Sequence, residues 1–170
     1  MNNHSESSSV IEKHTLAALV VDKAGILSRV SSLFRRRGFN IESIAVGASE
    51  EEGLSRITLV VIGTIVTVEQ VRKQLEKLIG VVKVISLPAG CSVYCELALI
   101  KVKSMAATRG EIIQIVDIYR SKIVDVAADS LTIEITGNEE KINSLIDLLQ
   151  DFGILEVART GRLAISRGIR

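Results

Sequence analysis

Three polar positions in an otherwise aliphatic stretch have the types and spacing of a small-molecule site. They are Asp22, Gly25 and Asn40, within DKAGILSRVSSLFRRRGFNIES at residues 22–43. Gly25 marks a tight turn ahead of a run that reads as one amphipathic helix. The N–H groups from Gly25 through Ile26 to Leu27 then stand at a helix N-terminus, without intrahelical acceptors and at the positive end of the dipole. That arrangement receives a carboxylate. An ammonium group would be met by the Asn40 amide oxygen or by Asp22. Donors for a carboxylate, acceptors for an amine and aliphatic walls together suit a small apolar amino acid. Each residue also has a plainer use: Asp22 as a helix cap worth about 1 kcal/mol, Gly25 as a turn, Asn40 as a loop stabiliser. The case for a site rests on their combination.

Covalent chemistry is poorly provided for. Cys91 and Cys95 stand four apart on an expected strand with no histidine or further cysteine nearby, whereas a zinc site usually draws on four N or S ligands. They read as buried structural thiols. Of the two histidines one is in the N-terminal tail and the other, His14, opens the first expected strand, too few for a triad or a metal cage. Phosphate loop, dinucleotide fingerprint and nucleophile elbow are all missing. The chain is therefore expected to bind rather than catalyse, with no cofactor or metal of its own.

With 21 basic and 20 acidic residues the formal charge is +1, which provides no general attraction for nucleic acid or an anionic membrane. The longest apolar runs, such as LAALVV at 16–21, fall far short of the roughly 20 residues of a membrane helix. The start MNNHSESSSVIEK lacks the pattern of a secretion signal or transit peptide; residues 1–13 read as a disordered polar tail on a cytoplasmic protein. The local charge runs are Arg35 to Arg37, at an expected helix end where cations complement the dipole, and Glu50 to Glu52, a solvated hairpin tip. Apolar residues make up 47% of the chain but aromatics only 3%, so the core must be aliphatic. So much aliphatic surface on 170 residues points to burial between subunits as well.

These residues need elements to hold them. His14 to Val21 is a dense apolar run suited to a strand buried on both faces. Ile26, Val30, Leu33 and Phe34 form a helical stripe that Gly38 ends. Ile41 to Ala48 and Leu54 to Ile62 read as a hairpin around SEEEG. Thr67 with Gln70 has capping-box spacing for a second helix, with Val68, Val71, Leu75, Leu78 and Ile79 on its inner face and Gly80 as its stop. VVKVISL closes the unit as a strand. After Pro88 the order repeats: strand VYCELALIKVKS, a possible capping box at Thr108 and Glu111 before helix IIQIVDIYR, strands SKIVDVAA and LTIEITG, a helix capped by Asn138, and strand ILEVAR. The helix capped by Asn138 carries Ile142, Leu145, Ile146, Leu149 and Phe152 on its inner face. The fold class is α+β, two ferredoxin-like βαββαβ domains at 14–88 and 91–168.

DKAGILSRV is similar to the first loop and helix of ACT domains, small amino-acid-binding regulatory modules. AGILSRVSSLFRRRGFNIESIAVG resembles more specifically the regulatory small subunit of acetolactate synthase, or acetohydroxyacid synthase. The likeness continues through LSRITLVVIG, KQLEKLIGVVKVISL, ELALIKV and EVARTGRLAISRG, from His14 nearly to the C-terminus. It implies an N-terminal ACT domain and a C-terminal ferredoxin-like domain, in a homodimer whose ACT sheets pair edge to edge. It implies no catalysis by this chain: thiamine diphosphate (ThDP), FAD and magnesium (Mg2+) belong to the large catalytic subunit, which the small subunit activates and makes sensitive to feedback by valine, or by leucine or isoleucine. By the same resemblance, Gly25 and the backbone of Ile26 and Leu27 hold the effector's carboxylate. Asn40, with Ile41 beside it, reaches it from the facing subunit. Asp22 stands where the family often has asparagine; it would pair with the ammonium, repel the carboxylate or cap the helix. Arg36 and Arg37 are the candidate partner-binding residues.

Two other readings use the same fold. A stand-alone ACT sensor or transcriptional regulator would want a DNA-binding element, and neither a helix-turn-helix pattern nor a basic arm is apparent. A small hydrolase of acylphosphatase type would carry a VQGVxFR-like loop that the first strand–helix turn lacks.

Overall fold

The structure, a computed structural model, describes residues 10–168. The first nine residues of the expected polar tail lie outside the described residues; its last two, Glu12 and Lys13, belong to the first strand. By contact pattern the chain forms two compact units. One runs to Val93 and includes the segment from Ala164; the other is Tyr94–Leu163. The boundary thus falls a few residues beyond the Pro88 to Gly90 junction read from sequence. The Leu87 N–H bonds to Thr15 O at 2.9 Å and the Arg167 N–H to Cys91 O at 2.8 Å, which holds both segments to the first unit.

In the first unit, β1 (Glu12–Val21), α1 (Ile26–Arg37), β2 (Asn40–Ala48), β3 (Leu54–Gly63), α2 (Ile65–Glu76) and β4 (Val81–Ser86) follow in order. The strands form an antiparallel sheet ordered β2-β3-β1-β4. β1 pairs with β3 along its whole length, from Glu12 opposite Gly63 to Val21 opposite Leu54. Leu16, Ala18 and Val20 of β1 and Ile57, Leu59 and Val61 of β3 meet Val30, Leu33 and Phe34 of α1 and Val68, Val71 and Leu75 of α2 in one aliphatic core. Thr15, Ala17, Thr58 and Val60, on the alternate positions, are buried too. That is why β1 reads as an unbroken apolar run rather than an alternating one.

The second unit repeats the order: β5 (Ser92–Lys103), α3 (Arg109–Ile118), β6 (Lys122–Val126), β7 (Ser130–Gly137), α4 (Glu139–Leu149) and β8 (Ile154–Arg159). Its strands are ordered β6-β7-β5-β8, and a short β9 (Leu163–Ser166) pairs with β5. Ala98, Ile100, Val102, Ile133, Ile135, Ile142 and Leu145 are fully or almost fully buried in its core. Glu96 is buried with them at the sheet margin; Arg159 grips it with two hydrogen bonds of 2.7 and 2.9 Å and donates a third, of 2.8 Å, to Asn143.

Several local expectations are corrected. The cap of α2 is Thr64, whose hydroxyl accepts from Thr67 N–H at 3.3 Å, so the helix begins one turn before the Thr67–Gln70 spacing. It ends at Glu76, which leaves Ile79 in the following turn and 82% exposed rather than in the core. Thr108 does not cap α3: its hydroxyl folds back on Met105, accepting from the N–H at 3.2 Å. Asn138 does cap α4, accepting from Lys141 N–H at 3.0 Å. Cys91 and Cys95 are exposed free thiols, not buried ones; along β5 the buried positions are Ser92, Glu96, Ala98, Ile100 and Val102, so Cys95 points to the open face. β9 carries no strand signal in the sequence: four residues with only Ala164 buried make too short an alternation.

Candidate functional site

The chain leaves β1 at Val21, turns through Asp22, Lys23, Ala24 and Gly25, and starts α1 at Ile26. Gly25 makes this geometry available. Its φ of 89° and ψ of −7° are left-handed, and no side chain caps the helix. A β-carbon there would meet no heavy atom within 4 Å, so the requirement for glycine is one of backbone angle, not space. Asp22 is therefore not the cap. The helix starts four residues later, and Asp22 is exposed, its N–H bonded to Gly53 O at 2.8 Å. In the first turn of α1, Ile26 N–H makes only a 3.4 Å contact to Lys23 O, and Arg29 N–H bonds Gly25 O at 3.1 Å. The N–H groups of Leu27 and Ser28 have no acceptor within the helix. Gly25, Ile26 and Leu27 thus stand together at the N-terminus of α1.

Asn40 and Ile41 stand elsewhere. Asn40 pairs with Ile62 of β3, and Ile62 pairs with Lys13 near the start of β1. The loop from Asp22 to Gly25 follows the opposite end of β1. From Lys13 to Val21 is about 27 Å at roughly 3.4 Å per residue. Within one chain, Asn40 cannot touch a ligand held by Gly25. An antiparallel mate on β2 would change this. β2 is an edge strand, and a second copy aligned antiparallel along it would bring its own Asn40 to the end where the first copy's loop lies.

That edge is also apolar. Ile44 and Val46 pair with Leu59 and Ile57, and so face the helix side of the sheet, yet they are 39% and 47% exposed. The hairpin pattern of the sequence does not single these two out as functional. Their period-2 spacing signals a half-buried strand, but only the strand order shows that, among the described residues, no further strand lies beyond them.

A cleft of about 420 Å³ opens beside the loop, lined in part by Val21, Lys23, Ile26, Arg29, Ile79 and Gly80. It lies on the β4 side, because Ile79 and Gly80 lead into β4. Of the expected site residues only Ile26 lines it. Arg29 ties α1 to this turn by donating to Ile79 O at 3.1 Å. Arg36 and Arg37 are far from the cleft, exposed in the last turn of α1, where Gly38 (φ 67°) closes the helix.

Among the described residues no group of three or more histidine, cysteine, aspartate or glutamate side chains is placed to hold a metal ion, and no helix is long and apolar enough to cross a membrane.

A central strand ending in a left-handed glycine turn, a helix start without a side-chain cap and an apolar edge strand define an ACT domain, here joined to a second ferredoxin-like domain. Residues 16–83 match the family described as "AHAS small subunit-like ACT domain", and residues 95–168 match "Small subunit of acetolactate synthase". The chain is 53% identical over 157 residues to the acetolactate synthase small subunit of Mycolicibacterium smegmatis, covering 92% of each. It is 53% identical over 156 residues to the probable small subunit of Archaeoglobus fulgidus, covering 92% of this chain and 98% of that one. The crystal structure of the acetolactate synthase small subunit from Thermotoga maritima superposes with a TM-score of 0.89 at 44% identity, over 94% of this chain and 100% of that one. The chain belongs to the acetolactate synthase small subunit family. That membership implies partnership with the acetolactate synthase catalytic subunit.

Proposed function

We propose that this chain activates the acetolactate synthase catalytic subunit and confers feedback inhibition by valine, or by leucine or isoleucine, bound between the ACT domains of a homodimer. The observation that carries this reading is the separation of Asn40 from the Gly25 turn within one chain, together with the open β2 edge that an antiparallel mate would use to reunite them. The carboxylate sits on the N–H groups of Ile26 and Leu27 at the Gly25 turn, and Asn40 and Ile41 of the other subunit close the site. Asp22, exposed and not engaged as a cap, is free to meet the ammonium. Chemistry, with its thiamine diphosphate, FAD and magnesium, is the catalytic subunit's.

Regulation then follows from linkage. Valine that binds the inhibited arrangement of the complex more tightly than the active one shifts the population toward inhibition, and the catalytic subunit's state alters valine affinity by the same factor. Couplings of this kind are on the order of 1–3 kcal/mol. Discrimination among the branched-chain amino acids is bounded, since one methylene is worth about 1–3 kcal/mol in an apolar pocket.

The test is a calorimetric titration of valine into the purified chain beside an Asn40→Ala variant. Saturable heat at about one valine per chain, lost in the variant, is the expected outcome. Equal binding by both proteins would remove Asn40 from the site and with it the proposed geometry.

A further inference from the structure

Two charge clusters of the first unit belong neither to its core nor to the Gly25 turn. Arg35, Arg36 and Arg37 occupy the last turn of α1, all exposed. Among the described residues none of the three has an ion-pair partner. Glu50, Glu51 and Glu52 form the exposed tip between β2 and β3. Among the described residues, only Glu50 of the three has an ion-pair cation, Arg56 at 3.3 Å; a backbone hydrogen bond and then Arg56 hold its carboxyl below the usual range. Hydrogen bonds between Ser49 and Glu51, 3.1 Å in each direction, set the tip's shape and leave the carboxylates of Glu51 and Glu52 outward.

These clusters bracket one strand. Arg37 lies just before the start of β2 at Asn40, and Glu50 just after its end at Ala48. A nine-residue strand is about 30 Å long, so the two cannot meet within a chain. Their placement is nevertheless self-complementary. When two copies of β2 run antiparallel, the arginine end of each lies beside the glutamate end of the other. Were they to run parallel, arginines would face arginines and glutamates would face glutamates, which like-charge repulsion opposes.

We propose that the arginine turn of α1 docks against the Glu51–Glu52 hairpin tip of a second copy, forming a charge clamp at each end of the β2 seam that fixes its antiparallel direction. This rests on the homodimer of the preceding reading and adds a device to it. The two-fold axis makes each contact twice. Because both clusters are exposed, the clamp acts on orientation and dissociation more than on fold, and salt weakens it.

The test uses two charge-reversed full-length chains, one with Arg36→Glu and Arg37→Glu, the other with Glu51→Lys and Glu52→Lys. Alone, each homodimer has repulsion at both ends; mixed, the heterodimer has attraction at both. Sedimentation should show each homodimer dissociating about tenfold more readily than wild type in low salt, less so in high salt. Differently tagged chains, once mixed, should form heterodimer well beyond the statistical share. The neutral pair Arg36→Gln and Arg37→Gln should fall between. A statistical mixture from chains that remain dimeric would overturn the clamp while leaving the dimer standing. A wild-type chain that stays monomeric at every concentration would overturn both. Unchanged dimers that lose capture of the catalytic subunit would overturn the clamp and assign the arginines to that surface instead.

Discussion

The separation of Asn40 from the Gly25 turn supports a mixing experiment that a site within one chain would fail. Take Asn40→Ala as one chain and Gly25→Ala as the other. The first removes a hydrogen bond to a charged ligand group, about 1.5–3 kcal/mol, or roughly a 10- to 150-fold loss in affinity. The second keeps the space, since a β-carbon at Gly25 meets nothing within 4 Å, but forces an alanine to φ near 89°, at about 1–2 kcal/mol. Relaxing that strain rotates the N–H groups away from the ligand. Neither homodimer should then bind valine at wild-type strength. After subunit exchange at equal amounts, about half of the dimers are mixed. Each mixed dimer pairs an intact Gly25 turn with an intact Asn40 once and two damaged partners once. Roughly a quarter of all sites should therefore titrate with wild-type affinity in calorimetry. The refuting result is the absence of that fraction from a mixture shown by mass to have exchanged. Bridging about 27 Å within a chain is beyond any free amino acid, so recovery has no other source.

Gly80→Ala should cost more than Gly25→Ala in urea unfolding, although both glycines are left-handed. At Gly80 (φ 96°) a β-carbon would also press on Val21 Cγ2 at 3.0 Å and Ile26 Cδ1 at 3.1 Å, so a loss of about 2 kcal/mol or more is expected there. In the second unit, Arg159→Ala strands the buried Glu96 carboxylate and should destabilise by about 3 kcal/mol. The pair Glu96→Leu with Arg159→Met should cost less than that single change, measured by the same unfolding curves. Glu69 accepts hydrogen bonds from Arg72 of 2.9 and 2.6 Å, which hold its carboxyl below the usual value and raise Arg72. Its carbon resonance should titrate below the ordinary carboxylate range, and Arg72→Gln should move it back up. The sign follows from the lowered folded value: the small contribution is present above the unfolded pKa, near 4.3, and lost as pH falls through the folded one. Thr64→Ala should cost about 1 kcal/mol as a lost helix cap; an equal or larger loss for Thr67→Ala would move the cap to where the sequence spacing put it.

Local chemistry and periodicity determined most of the scaffold from the sequence alone. The stripe Ile26, Val30, Leu33, Phe34 is buried as its spacing requires, and Gly38 ends α1 in the left-handed conformation. Asn138 caps α4, and the βαββαβ order is present twice. Such features depend on neighbours a few residues apart, and the chain carries them wherever it folds. What needed tertiary structure were the choices between equally good local options. Thr64 and Thr67 both offer a hydroxyl before an apolar run, and where α2 starts decided which caps and whether Ile79 is core or surface. Cys95 reads as an apolar strand position; its exposure depends on which β5 face meets the helices. Above all, the sequence places Asn40 close after the arginines and some fifteen positions after Gly25, which reads as proximity. Only the β1–β3–β2 register shows them at opposite ends of the sheet. Strand pairing is a contact between distant parts of the chain, and its register is set by how a whole face is buried.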